Sequence, residues 1–311
     1  MRVLVTGGAG YIGTHTVKAL IDKGHYPIVL DNLVHGNKYV VTDILKVPLI
    51  ISDVGNKDNL IKILLGEHES LKGTIHEGKI IESVIHFAAY AYVGESVKDP
   101  MKYYLNNLVQ STILLDAICD VKIVDKTFNK LPIPIIFSST CATYGNPLVD
   151  PITENTSQFP INPYGRSKLY IEEIIKDLCN SSNLKGVILR YFNAAGAMPD
   201  SSFGEMHFPE THLIPLVIQT SLGMRDHIKV FGSNYDTIDG TCIRDYIHVC
   251  DLADAHVRCL DIFSANKNSL IADNIKLNKY NYFIFNLGNG NPVSVKEIIK
   301  NVEKIAKKKI K

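Results

Sequence analysis

Along the first thirty residues the spacing of apolar positions changes twice. Arg2-Val3-Leu4-Val5-Thr6 is a short β-branched run; residues 12–23 then carry Ile12, Thr16, Ala19 and Leu20 at helical spacing, and Pro27-Ile28-Val29-Leu30-Asp31 returns to an unbroken apolar run. Gly24 stands where the helix must stop. This order predicts a βαβ unit, whose two strands lie parallel and are joined by a right-handed crossover. Further apolar runs follow at 47–51, 83–87, 133–139 and 187–191, with helical patterns over 57–65, 101–119 and 164–179. Strands covered on both faces read as continuous apolar runs, and Ile133-Pro134-Ile135-Ile136-Phe137 fits that description, with its proline near the start. The expected fold is α/β, a doubly wound parallel (Rossmann) sheet.

Beyond about residue 193 the pattern loosens into loops rich in Pro, Gly and His. A smaller substrate-binding α/β domain is expected there, laid over the carboxyl edge of the sheet, where such folds take ligands. The predicted division is 1–192 and 193–311, with the second part interleaved with the first. The polar stretch 66–79 and the Asn/Lys-rich stretch 264–281 read as surface insertions. Ser294-Val295-Lys296-Glu297 is a capping box opening an amphipathic helix with apolar Val295, Ile298, Ile299, Val302, Ile305 and Ala306.

Composition narrows the setting. The chain has 311 residues, 33 Lys+Arg against 32 Asp+Glu and a formal charge of +1. That length suits roughly two domains at about 150 residues each, and the lack of a basic excess argues against a nucleic-acid partner. Lys307, Lys308, Lys309 and Lys311 read as a solvated helix face or tail. Cys119, Cys141, Cys179, Cys242, Cys250 and Cys259 form no CxxC pair and no ligand spacing with histidine, so reduced core thiols and no metal site are expected. A first strand starting at Arg2 leaves no room for a signal sequence, and no apolar run approaches the roughly 18 residues of a membrane span. A cytoplasmic setting without membrane attachment is the expectation.

The turn Gly7-Gly8-Ala9-Gly10-Tyr11-Ile12-Gly13 lies between a strand and a helix. Glycines there permit a tight turn, close approach of a pyrophosphate and tight helix–strand packing, with the helix N-terminus facing the phosphates. Asp31 ends the second strand eighteen residues after Gly13, where a carboxylate accepts from the adenosine ribose diol and repels a 2′-phosphate. NAD rather than NADP is the cofactor this selects. Asp53 either accepts from the adenine amino group or simply forms the turn before Gly55. The small residues of His86-Phe87-Ala88-Ala89 either leave room for a cofactor crossing the sheet edge or mark a well-packed strand end.

Asn162-Pro163 places a polar cap and a first-turn proline before Tyr164-Gly165-Arg166-Ser167-Lys168, so Tyr164 and Lys168 share one helical face. A phenol with a pKa near 10 is a poor base at neutral pH. A lysine ammonium and a positive nicotinamide would favour its phenolate. The strand end Ser138-Ser139-Thr140 supplies a hydroxyl able to bridge substrate oxygen and the phenol.

These residues resemble the extended short-chain dehydrogenase/reductases and, within them, the UDP-sugar 4-epimerases. The resemblance runs over nearly the whole chain outside the two insertions. It is carried by 5–13, Asp31-Asn32, His86-Phe87-Ala88-Ala89, Val93-Gly94-Glu95-Ser96, 138–145, 162–168, Leu189-Arg190-Tyr191-Phe192-Asn193 and 239–246. It implies an NAD-dependent epimerase that inverts C4 of a UDP-hexose, UDP-glucose or UDP-galactose, through a transient 4-keto sugar that turns about its pyrophosphate link. Tyr164 would take the 4-hydroxyl proton with help from Thr140, and Lys168 would hold the nicotinamide ribose and tune Tyr164. Gly7, Gly10, Tyr11, Ile12, Gly13, Asp31, Asn32, Asp53, Val54, Phe87, Ala88, Ala89, Asn106, Ser138, Tyr164, Lys168 and Tyr191 would border NAD. Phe192, Asn193, His212, Leu213, Phe231 and Arg244 would join Thr140 and Tyr164 at the UDP-sugar, with Arg244 on phosphate charge. A homodimer is also implied.

Related activities fit less well. Sugar-nucleotide dehydratases of this superfamily place an acid pair after the strand-end threonine, where this chain has Cys141 and Ala142. The wording of 138–143 and 91–96 also resembles the pentose branch that interconverts UDP-xylose and UDP-arabinose. Ala91 stands where some members carry a lysine that reaches the nicotinamide ribose. The family continues past the final helix with an arginine and an acidic residue for UDP, so an NAD-binding protein truncated at its C-terminus and lacking turnover is the remaining alternative.

Overall fold

A computed structural model describes residues 1–124, 130–263 and 281–311. All of the predicted 264–281 insertion except Asn281 lies outside the described residues. The strands are β1 (Arg2–Thr6), β2 (Tyr26–Asp31), β3 (Leu49–Ile51), β4 (Ser83–His86), β5 (Lys122–Val124), β6 (Lys130–Pro132), β7 (Ile135–Thr140), β8 (Gly186–Tyr191), β9 (Asn193–Ala195), β10 (Ile243–His248), β11 (Tyr282–Leu287) and β12 (Pro292–Ser294).

Seven of them form one sheet in the order β11-β8-β7-β4-β1-β2-β3. The ladders β1 to β2, β1 to β4, β2 to β3, β4 to β7 and β7 to β8 are all parallel, as the unbroken apolar runs require. The order reverses at β1, so β2 and β4 leave on opposite sides and their carboxyl ends open a crevice. Leu4, Ile28, Leu30, Val84, Ile135, Phe137 and Ile188 of the sheet pack on Leu60, Ile63, Leu64, Leu114, Leu115, Ile118, Ile171 and Ile175 of the helices.

One local expectation is refined and one corrected. The 66–79 segment lies at the surface but is anchored: Leu71 and His76 are buried, and Gly66, in the left-handed region, closes the Lys57–Leu65 helix and accepts from Gly78 N at 2.9 Å. The polar composition hid the two inward residues. The helix expected over 101–119 is interrupted: an α turn at Pro100–Tyr103 runs into a π turn at Tyr104–Val109 before the α-helix Gln110–Asp120. Asn107 on that wider turn is fully buried, accepting from Tyr90 N and donating to Tyr90 O, each at 2.9 Å.

The chain divides into two compact units, Met1–Tyr191 with Cys250–Asn286, and Phe192–Val249 with Leu287–Lys311. Cys250–Asn286 is thus grouped with the first unit and not with the residues on either side of it. In the second unit β10 pairs in parallel with β9 and antiparallel with β12. The final helix, Val295–Ala306, packs on the Leu213–Ser221 helix, but none of its residues is buried and Ile305 stands 81 % exposed. Its cap is half of the expected box: Ser294 Oγ accepts from Glu297 N at 3.1 Å and gives its own proton to Asp239.

Candidate active site

The glycine turn after β1 is made by backbone contact. Gly7 sits at φ +69°, and a Cβ there would lie 2.6 Å from Ala88 N; a Cβ on Gly13 would lie 2.3 Å from Gly7 O. Both positions exclude a side chain, one by conformation and contact, the other by contact alone. The Tyr11–Asp22 helix follows with Gly10 as its cap and no side-chain acceptor on its first N–H groups. Those donors and the helix dipole suit a pyrophosphate.

Asp31 is nearly buried, accepting from Ala9 N at 3.0 Å and Leu33 N at 2.8 Å. Burial raises its pKa and the two backbone bonds work against that rise. Asn32 Nδ2 donates to Asp53 Oδ1 at 2.7 Å, so these two predicted adenosine contacts are already joined. A groove of about 660 Å³ begins at Asp53 and continues along Leu105, Val109 and Gln110. Val54 is buried beside them. The glycine cradle and the anchored Asp31 thus fit a dinucleotide in this unit.

The catalytic candidates lie at the carboxyl end of β7 and on the Pro163–Ser182 helix. Asn162 caps that helix by accepting from Gly165 N at 2.8 Å, and Pro163 opens it. Tyr164 is 8 % exposed and hydrogen-bonded to the Thr140 hydroxyl. Lys168 is 3 % exposed, and its Nζ donates to Ser138 O at 2.8 Å. Ser138 Oγ is bonded in turn to the Tyr191 hydroxyl.

A lysine ammonium and a positive nicotinamide are expected to favour the phenolate; the protein's own groups hold the phenol's pKa above its ordinary value. Burial pushes Tyr164 up, the neighbouring Tyr191 adds to it, and the Thr140 bond only partly offsets both. Burial also brings Lys168 down to about 7, against the pull of Glu172, which weakens the cation meant to assist. Tyr191 is pushed up to about 12, again by burial. The arrangement stores a protonated phenol and a readily neutralised lysine, poised for a positive ligand charge to ionise the phenol.

Sequence reasoning missed the supports. His86 is fully buried between Thr6 Oγ1 at 2.6 Å and Ser111 Oγ at 2.7 Å, and burial takes its pKa to about 3, with Lys168 adding to the fall. It is a neutral brace. Asn106, a predicted cofactor contact, donates to Asn107 Oδ1 at 3.0 Å, and Asn107 is what ties the π turn to Tyr90. Behind the catalytic helix, Glu172 and Arg190 form a dry ion pair at 2.6 Å. Glu172 also takes the Ser139 hydroxyl, while Arg190 reaches the Tyr144 hydroxyl at 2.9 Å and Gln158 Oε1 at 2.8 Å. One signal was readable: Glu172 follows Lys168 by one helical turn.

In the second unit the predicted substrate residues are more open. Phe192 donates its N–H to Leu287 O at 3.3 Å, and Asn193 starts β9 opposite Tyr246. His212 caps the helix that begins at Leu213. Phe231 is 82 % exposed, and Arg244 on β10 is exposed with Nη1 donating to Ile243 O. Asp239 and Asp245, unassigned from sequence, are the hooks: Asp239 accepts from Thr241 and Ser294, Asp245 from Asn289 N at 2.8 Å and Gly290 N at 2.9 Å.

One further expectation changes. All six cysteines are free thiols, but only Cys179 and Cys259 are buried. Elsewhere in the second unit Glu205, His207, Glu210 and His212 bring four ligand atoms within 4.8 Å of one another.

The model of the NAD dependent epimerase/dehydratase family matches residues 3–272. A UDP-glucose 4-epimerase of Rhizobium meliloti (strain 1021) is 43 % identical over 308 residues, covering 99 % of this chain and 82 % of that protein. The crystal structure of UDP-glucose 4-epimerase from Brucella ovis in complex with NAD superposes with a TM-score of 0.81 at 41 % identity, over 97 % of this chain and 82 % of that one. The Bifidobacterium longum UDP-glucose 4-epimerase in complex with NAD+ and UDP gives 0.83 at 36 % identity, over 100 % of this chain and 84 % of the other.

Proposed function

The chain belongs to the NAD dependent epimerase/dehydratase family, and on that premise we propose that it interconverts UDP-glucose and UDP-galactose by inversion at C4. The observation that carries this reading is the buried Tyr164 phenol, bonded to Thr140 at the sheet edge and one helical turn before Lys168.

When bound, NAD supplies a reversible hydride acceptor and a positive ring. Tyr164 takes the proton of the sugar 4-hydroxyl, relayed by the Thr140 hydroxyl, and returns it after the 4-keto sugar has presented its other face. Lys168, held by Ser138 O, binds the nicotinamide ribose and sets the charge beside the phenol. Gly7, Gly10, Tyr11, Ile12 and Gly13 receive the pyrophosphate. Asp31 and Asn32 take the ribose, and Asp53 with Val54 borders the adenine. Phe87, Ala88, Ala89, Asn106, Ser138 and Tyr191 flank the nicotinamide half. Asn193, His212, Leu213, Phe231 and Arg244 hold the uridine diphosphate, with Phe192 lining the nicotinamide pocket. Cys141 and Ala142 after Thr140 provide no acid for an elimination, which separates this site from a dehydratase.

Purified protein should carry NAD and convert each pure UDP-hexose into the other without net NADH release. Brisk UDP-xylose and UDP-arabinose conversion with no hexose turnover would transfer the assignment to the pentose reaction. Bound NAD with no turnover of any UDP-sugar would leave a binding protein. We further propose a homodimer acting in the cytoplasm; a light-scattering mass near 34.6 kDa would overturn the dimer. No helix among the described residues is long and apolar enough to cross a membrane.

A further inference from the structure

Within eight residues of the second unit, Glu205, His207, Glu210 and His212 converge on one point. His207 Nδ1 lies 3.2 Å from Glu205 Oε1 and 3.7 Å from Glu210 Oε2, while His212 Nδ1 lies 2.8 Å from Glu205 Oε1 and 3.0 Å from Glu210 Oε1. A tetrahedral ion with bonds of about 2.0–2.1 Å sets its ligand atoms roughly 3.3 Å apart. With one ligand atom taken from each residue, all four lie within 4.8 Å of one another, so the side chains would draw inward to seat an ion. The two carboxylates are 8 % and 6 % exposed, and His207 is 18 % exposed, so the negative pair is largely out of water. Two nearly dry carboxylates facing the same two imidazoles are balanced by one divalent cation, with both rings neutral.

We propose that Glu205, His207, Glu210 and His212 form a closed four-ligand site for a zinc-class divalent cation that fixes the loop entering the Leu213–Ser221 helix. Two imidazole nitrogens and two carboxylate oxygens suit Zn²⁺, whereas Mg²⁺ and Ca²⁺ prefer all-oxygen shells. Four protein ligands leave no open position, which makes the role structural. A ring that ligates through Nδ1 keeps Nε2, so His212 can serve the ion and still meet a phosphate. The inference stands apart from the epimerase reading, because it concerns ion binding and is measured without turnover.

The test uses untagged, NAD-loaded protein stripped with chelator and titrated with ZnCl₂. One equivalent of Zn²⁺ should bind, unaffected by millimolar Mg²⁺. Glu205→Gln and His207→Ala should each weaken binding by at least the roughly 10–100-fold that loss of a mere supporting residue costs. Zinc absorption spectroscopy on the unmodified protein should report nitrogen and oxygen neighbours at about 2.0–2.2 Å, a readout that does not need the variants to fold. The proposal is overturned by the absence of saturable Zn²⁺ binding, by sulfur in the coordination shell, or by affinity unchanged in both variants.

Discussion

The two units hold their functional side chains in different ways. In the first, Tyr164, Lys168, Thr140 and Asp31 are nearly out of water and already engaged by the protein, through Thr140, Ser138 and the Ala9 and Leu33 amides. In the second, Arg244 and Phe231 face solvent, and order comes from acidic hooks at Asp239 and Asp245 beside them. Chemistry that moves a proton and a hydride needs atoms fixed to fractions of an ångström before reaction. Gripping a flexible diphosphate does not, since contact energy gathered on binding can order the surface that provides it.

The contrast can be broken most sharply at the phenol. Tyr164→Phe should lower turnover by roughly 10²–10⁴-fold while NAD remains bound, because a positioned general base contributes about that much; near-normal turnover would remove Tyr164 from the reaction. Next comes the first unit's buried scaffold. Arg190→Leu strands the Glu172 carboxylate, and urea unfolding should show a loss of about 3–5 kcal/mol. A cost under about 1 kcal/mol would mean the pair is not the brace it looks like.

Acid probes the same unit. His86, at about 3, and His256, at about 4, are kept neutral mainly by burial, whereas an unfolded histidine titrates near 6.5. Below that value the unfolded chain takes up protons that the native one refuses, so their contribution is intact above pH 6.5 and falls as pH drops toward 4 and then 3. The slope is roughly 1.4 kcal/mol per pH unit for each ring. Equal urea midpoints at pH 7.0 and 5.5 would contradict it.

The second unit should respond in affinity instead. Arg244→Ala should weaken UDP binding by roughly 10–150-fold, the cost of about 1.5–3 kcal/mol for a bond to a charged group, with kcat less affected than KM. Phe231→Ala gives the smallest stability effect, within about 0.5 kcal/mol of the parent. A large loss of stability in either variant would erase the distinction between the units.

Legibility followed the same division. The parallel strands and the glycine turn were readable because an unbroken apolar run and a side-chain-free bend each have few structural meanings. Tyr164 and Lys168 were readable because helical spacing puts them on one face. Their ionisation was not: the upward shift at Tyr164 comes first from burial, with Tyr191 adding to it and Thr140 opposing, and all three arise only in the folded sheet. His86 and Asn107 were passed over because a buried polar residue looks in sequence like an exposed one until its partners are known. The Glu205 to His212 spacing stands in the sequence, but only the folded loop brings the four side chains together.

The π turn at Tyr104–Val109 has a geometric consequence for what this helix can tolerate. A π turn holds one residue more than an α turn, and each α residue advances the helix by about 100°. Removing one residue between 104 and 109 would therefore restore regular winding and leave Leu114, Leu115 and Ile118 facing the core they now fill, whereas the same deletion in the regular winding of Gln110–Asp120 ahead of them would turn them away by that angle. The wider turn absorbs one residue between a half that holds Asn106 and Asn107 and a half that packs on the sheet. Length is forgiving at that turn and locked in the regular helix that follows.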